Sequence, residues 1–232
     1  MDNNELIQFE DNKAIEKLDH NLNNFLGMKE IYSDNPIILA EIKGNIISEI
    51  NLYFTDEKIT TISNEFQNKS YGFRTDNPRG YDNNTVKESV IFGLLKGVHY
   101  TDNELNIIAG RGYITKEGFQ GLMRRNPDFN DFSLIMKTDE IDKVKKIATI
   151  HAKANWVYRG KNYCTPEKFQ VSVKWNDKMS NDAIIGKAER KVRRYACETS
   201  FNDTFSDGEP EQVERTVIEI DHKELLTNNQ EV

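Results

Sequence analysis

The sequence predicts an α+β fold, in which a small antiparallel sheet with a prominent hairpin packs against helices and a basic helix follows the hairpin. Two observations carry this. Residues 145–175 contain two runs that alternate apolar and polar side chains on either side of the turn-forming Arg159-Gly160-Lys161-Asn162, the period-two pattern of paired strands. Residues 181–201 instead space their apolar side chains three and four apart, as a helix with one buried face does.

Taken in order, Leu6, Ile7, Ala14, Ile15, Leu18, Leu22, Phe25 and Leu26 recur at helical spacing and predict one or two helices over 3–26. Residues 36–63 are rich in Ile around Gly44-Asn45; their pattern suits strands or a helix with irregular ends, and both stay open. Residues 64–84 collect Asn, Gly, Asp and Pro78, so they read as a loop and the best place for a mobile segment. Val86, Val90, Ile91, Leu94, Leu95 and Val98 mark an amphipathic helix over 85–98 that stops near Gly97. A short strand over 105–109 leads through Gly110-Arg111-Gly112 and Tyr113-Ile114 to a helix capped by Thr115, which runs to about Arg125 before Pro127. Residues 132–137 read as a strand. In the hairpin, Ala148, Ile150, Ala152, Ala154 and Trp156 share one face, and Phe169, Val171, Val173 and Trp175 share a face of the returning strand. The chain thus divides into an N-terminal helical or mixed region with its loop (1–84), an α+β core (85–201) and an acidic tail (202–232).

Across 232 residues, 31 Lys and Arg face 38 Asp and Glu, a net charge of -7. Nine of the acids (Asp203, Asp207, Glu209, Glu211, Glu214, Glu219, Asp221, Glu224 and Glu231) lie in the tail with only Arg215 and Lys223, so the body is neutral. A neutral body can hold a local basic face, and the acidic total does not exclude a nucleic-acid partner. No run approaches the roughly 18 apolar residues of a membrane helix, and the first residues lack the basic and apolar regions of a secretory signal. A cytoplasmic location without a membrane partner is expected. Cys164 and Cys197 form no C-x-x-C pair and are expected to be thiols that behave as small hydrophobes.

On a helical wheel started at Ile184, the apolar Ile184, Ile185, Ala188, Val192, Tyr195 and Ala196 fall between about 0° and 120°. Lys187, Arg190, Lys191 and Arg194 fall between about 240° and 340°, with Arg193 on the boundary near 180°. The expectation is a helix, capped by Ser180 or Asn181 and with Asp182 at its positive dipole end, that packs one side on the core and projects four cations together from the other. A row of cations about a turn apart follows phosphates while reading no bases; a plain solvated face is the competing reading. Trp156, Tyr158, Tyr163 and Trp175 precede this helix. Rings in a hairpin serve either cross-strand packing or base stacking, and Tyr158 and Tyr163, beside Lys161 at the turn, are the pair expected at the surface. Arg111, Lys116, Arg124 and Arg125 form a second, weaker basic set.

Other chemistries leave fainter marks. The four histidines (His20, His99, His151, His222) are scattered, which speaks against structural zinc, and no G-x-x-x-x-G-K-[ST] implies ATP. Asp34 with Glu41-Ile42-Lys43 has the order of a D…E-x-K nuclease, whose acids hold Mg²⁺ and whose lysine helps activate water, and this keeps a Mg²⁺-dependent nuclease as an alternative. A third reading is a non-enzymatic protein whose basic helix docks an acidic partner.

Three segments resemble the phage single-strand annealing proteins of the RecT/Redβ recombinase family: residues 106–125 (NIIAGRGYITKEGFQGLMRR), 151–175 (HAKANWVYRGKNYCTPEKFQVSVKW) and 180–201 (SNDAIIGKAERKVRRYACETSF). The family pattern has a Lys-Ala pair and a second cation seven positions after the Lys, both on the DNA backbone; Lys187-Ala188 and Arg194 match it. Asn181 stands where the family can carry a further base, so Arg190 or Lys191 would supply that contact, and the first 80 residues have no counterpart. The resemblance implies a Rad52/Redβ-like core and an ATP-independent protein of homologous recombination and DNA repair. Such a protein coats single-stranded DNA as a homo-oligomeric ring or helical filament and pairs it with a complementary strand, so single strands and annealed duplex are its partners. It implies a phage exonuclease and a host single-strand binding protein as cooperating partners, the cytoplasm of a bacterial host as location, no catalytic residue, and no cofactor beyond Mg²⁺ as a DNA counterion. Four phosphate contacts per subunit would be weak at cellular salt, which by itself calls for many subunits on one strand. The acidic tail reads either as a disordered solubiliser or as a cover for the basic helix, with Val217, Ile218, Ile220, Leu225 and Leu226 available as a short docking element.

Overall fold

In the computed structural model the described residues are 3–32, 34–177, 179–201 and 203–205; the docking element expected within 217–226 lies outside them. The fold is α+β. Helices α1 (Asn3–Ile31), α2 (Pro36–Tyr53), α3 (Asp56–Phe66) and α4 (Asn83–Leu95) precede a two-stranded ribbon of β1 (Leu105–Ile108) and β2 (Arg111–Ile114). Helix α5 (Lys116–Arg125), strands β3 (Phe129–Asp142), β4 (Ile147–Tyr158), β5 (Lys161–Cys164) and β6 (Gln170–Lys174), and helix α6 (Asn181–Phe201) complete it.

Capping resolves the stretch that periodicity leaves open. Asn35 accepts a hydrogen bond from the Ile38 amide at 3.2 Å with Pro36 opening α2, and Thr55 accepts from the Lys58 amide at 3.4 Å with Asp56 and Glu57 in the first turn of α3. Two helices therefore occupy 36–66. The loop that follows is where the sequence places it, but it is pinned rather than loose. Gln67 Oε1 accepts from the Tyr81 amide at 2.7 Å, Asn68 Oδ1 from the Thr75 amide at 2.9 Å, and Asn77 Nδ2 donates to the Gly80 carbonyl at 2.6 Å. The Asn-rich composition supplies side-chain substitutes for a backbone ladder.

Strand β4 is central in the four-stranded antiparallel sheet, with β3 on one side and β5 and β6 in succession on the other. The expected single returning strand is thus two. Positive φ at Arg159 (50°) and Gly160 (71°) makes a tight hairpin turn, so β5 pairs at once with Asn155 to Tyr158, and β6 takes up the far half of β4, from Ile147 to His151. Strand β3 extends well beyond the expected 132–137, with two register shifts.

Helix α6 covers the sheet face of Ala148, Ile150, Ala152, Ala154, Trp156, Val171 and Val173. Three of these are alanines with no exposed surface, and Ala188, Val192 and Ala196 meet them from the helix, so the two backbones approach closely. Trp156 Nε1 donates to Ser200 Oγ at 2.9 Å inside this core. A second apolar cluster joins Phe25, Ile46, Ile50, Ile59, Ile62 and Phe73 to Val86 and Val90 of α4 and Ile107 of β1. Packing consequently runs across residue 84, where composition suggests a boundary. At the other end, Phe205 is buried against Phe119, ring centroids 5.3 Å apart, while Asp203 pairs with Lys29 of α1 and Lys96 after α4. Residues 203–205 belong to the body and not to the tail. No helix among the described residues is long and apolar enough to cross a membrane.

Candidate nucleic-acid interface

Helix α6 starts where Ser180 Oγ accepts from the Ala183 amide at 3.2 Å. Its buried arc is wider than the apolar stripe. Ile184, Ala188, Arg190, Val192, Ala196, Cys197 and Ser200 are all buried, sweeping from about 0° to about 240° on the wheel. The sheet takes one flank of the helix and α5 takes the next, with Arg190 reaching to β2, leaving an open edge of Lys187, Lys191, Arg194 and Glu198.

Arg190 corrects the expected row of four. It is 2% exposed, its Nε donates to the Ile114 carbonyl at 2.7 Å, and its guanidinium lies 3.9 Å from the centroid of the Tyr113 ring. A planar cation with an aliphatic stem fits between an aromatic face and a strand-end carbonyl, so it became core. Arg193 is also turned inward: it pairs with Glu189 at 2.7 Å and lies over Phe132 at 4.8 Å. Lys191 is half-buried and donates to the Ser172 carbonyl of β6 at 2.9 Å. Arg194 pairs with Glu198 at 2.8 Å, the two side chains 22% and 27% exposed, and the same carboxylate oxygen accepts from the Phe205 amide at 2.9 Å. Lys187 is half-buried and has no ion pair among the described residues.

The hairpin rings are used internally. Tyr158, expected at the surface, is buried, packing edge-on against Phe201 at 5.7 Å. Tyr163 is half-buried and stacks on Trp156 at 5.8 Å with planes 10° apart. Lys161 at the turn is exposed. In the second basic set, Arg111 is exposed and has no ion pair among the described residues, and Lys116 lies 3.5 Å from Glu189. Arg125 is structural: it grips Glu104 with two bonds of 2.7 and 2.8 Å and the Gly97 carbonyl at 2.9 Å.

The nuclease triplet is not assembled. Glu41 and Lys43 are two residues apart on α2 and so point about 200° apart, while Asp34 lies before the helix cap. No group of three or more His, Cys, Asp or Glu among the described residues is placed to hold a metal ion. Cys197 is buried, which pushes its thiol well above the ordinary range, whereas Cys164 is exposed and does not take the apolar place expected of it.

Sequence reading missed the clasp of Lys29, Lys96 and Asp203 because its members come from three distant segments. It also missed Arg74 and Arg79, exposed on the pinned loop; the cluster of Lys69, Tyr71, Arg74 and Arg79 within eleven residues was the available signal, hidden within a stretch read only as a loop. Comparison of the chain with family models, curated proteins and solved structures gives no match in any of the three.

Proposed function

We propose that this protein binds single-stranded DNA through its sugar-phosphate backbone and pairs it with a complementary strand, acting as an oligomer without ATP and without bond-making chemistry. One observation carries the reading: Lys187 and Arg194 lie on the open edge of α6, seven residues apart, hence aligned within about 20° and separated by about 10 Å along the axis. Ala188, fully buried beside Lys187, fixes the rotation of the helix that keeps this pair at the margin. The same Lys-Ala and distal cation is the pattern through which the segment resembles the RecT/Redβ family.

Arg194 must exchange Glu198 for a phosphate. A phosphate with two negatively charged neighbours along the strand competes with the single Glu198 carboxylate for the guanidinium fork. Two contacts per subunit give a log-log salt slope near -1.4, too shallow for useful affinity from a single subunit, and binding then depends on many subunits along one strand. Backbone contacts leave base edges free to test an incoming strand, and base pairing supplies the energy. In this reading the protein works in the cytoplasm of a bacterial host, where a phage exonuclease generates the single strands and a host single-strand binding protein cooperates on them.

The test mixes two complementary oligonucleotides with the protein in the absence of ATP and follows duplex formation beside particle mass. Annealing above the spontaneous rate, on particles of several subunits, is expected. Spontaneous-rate annealing with no retention of oligonucleotide at low salt rejects the function, and shortening of a labelled single strand with Mg²⁺ present replaces it with a nuclease.

A further inference from the structure

The loop after α3 has a face that α6 lacks. Its residues 71–76 run alongside 102–109: the Asp102 and Asn103 amides donate to the Tyr71 and Gly72 carbonyls at 3.0 Å, the Ile107 amide to the Arg74 carbonyl at 2.9 Å, and the Arg74 amide to Asn106 Oδ1 at 2.8 Å. The backbone is thereby spent on β1 and its approach, and the Tyr71, Arg74 and Arg79 side chains are exposed, Tyr71 to 52%. At the end of this ribbon the loop meets the β1–β2 turn. Asp76 accepts from the Ala109 amide at 3.0 Å and from the Tyr81 hydroxyl at 2.8 Å, and that hydroxyl accepts from the Gly110 amide at 2.9 Å. Arg111 follows directly and is exposed.

The two acids of the loop are engaged elsewhere. Asp76 is held by the β1–β2 turn, and Asp82 caps α4 through the Thr85 amide at 2.8 Å, a bond that lowers its carboxyl below the usual range. No carboxylate pairs with Arg74, Arg79 or Arg111 among the described residues. Tyr71 and Arg74 therefore lie on a ribbon about 17 Å long from 71 to 76, Arg79 on the Asn77–Gly80 turn that follows it and Arg111 at the start of β2, on a backbone that is already ordered. Guanidinium forks match phosphate oxygens, and an exposed ring offers any base a stacking face; together they suit a flexible single strand better than an acidic peptide, which has no use for the ring.

We propose that this ribbon is a second track for single-stranded nucleic acid, with Arg74, Arg79 and Arg111 on phosphates and Tyr71 under a base. The inference rests on the reading that the protein binds single strands, and adds a site on segments of the chain other than α6. The test measures anisotropy of a labelled oligo-dT with the full chain across a salt series. The double variant Arg74→Ala, Arg79→Ala should lower affinity about tenfold and make the log-log slope shallower by about 1.4. Tyr71→Ala should lower affinity at least about fivefold with the slope unchanged. Wild-type affinity and slope in the double variant, beside a loss in Lys187→Ala, Arg194→Ala, would overturn the second track and leave the function standing. A wild-type protein that holds no oligonucleotide at low salt overturns both. If the double variant keeps the oligonucleotide but loses a labelled poly-glutamate peptide, the ribbon is a protein-docking face and the inference fails.

Discussion

Replacing Arg190 by alanine separates the two roles this residue has been given, one from the wheel and one from the packing. As a phosphate contact, Arg190→Ala would weaken DNA binding and leave the fold intact, and Arg190→Lys would retain most of both. The structure predicts the reverse. Removing the side chain strips the buried Ile114 carbonyl of a charged donor, at about 1–3 kcal/mol, and removes the stack on Tyr113, worth about 2 kcal/mol when desolvated. Relief from burying a cation offsets part of this, so a net loss of about 3 kcal/mol is expected. For a chain of this size each kcal/mol shifts Tm by about 2–4 °C, which puts the fall near 10 °C. Lysine lacks the planar fork, so Arg190→Lys should lose much of the same stability although its charge is kept. Thermal unfolding gives the first quantity, and oligonucleotide anisotropy at low temperature, where the variants remain folded, gives the second. A wild-type Tm with a several-fold loss of affinity in Arg190→Ala would refute the packing account.

Three further outcomes follow from the clasp and the helix edges. Truncation after Phe205 removes eight acids and two cations and should leave Tm unchanged while tightening DNA binding; no gain in affinity counts against a covering role for that segment. Truncation before Asp203 should cost about 3 kcal/mol or more in denaturant unfolding, since it exposes the Phe205 pocket and leaves Lys29 and Lys96 without their shared carboxylate. Burial opposes the charge of Asp203, but the ammonium groups of Lys29 and Lys96 and their hydrogen bonds outweigh it and hold its carboxyl below the usual range. Its stabilising share is therefore present above about pH 4 and lost as pH falls through the depressed value. The stability gap between wild type and Asp203→Asn should narrow on acidification, and the absence of any gap at neutral pH would contradict the pairing.

Glu198, beside the clasp, links the proposed DNA contact to the fold. Glu198 holds Arg194 and the Phe205 amide with the same oxygen, so a phosphate that draws Arg194 away leaves Glu198 attached to the segment leading into the acidic tail. The cation proposed to meet DNA and the exit of the chain thus share one carboxylate.

Much of the fold was legible in the sequence because it is local. The β4 alternation from Ile147 to Tyr158, the Thr115 cap of α5 and the apolar stripe of α6 each depend on residues a few positions apart, and each appears as read. Where local signals conflict, as in 36–63, hydrogen bonds from Asn35 and Thr55 decided between helix and strand. The candidate site was less legible. A wheel sorts α6 by residue type and sends Lys187, Arg190, Lys191 and Arg194 to water, but it contains no information about what lies beside the helix. Only the tertiary structure decided that β2 would end at a buried carbonyl with the Tyr113 ring next to it, which takes Arg190 inward, and that the ribbon 71–76 would lie along β1, which leaves Arg74 outward. Periodicity determines which faces a segment can bury; long-range packing determines which polar groups are buried with them, because a desolvated cation is stable only where distant residues bring it a carbonyl and a ring.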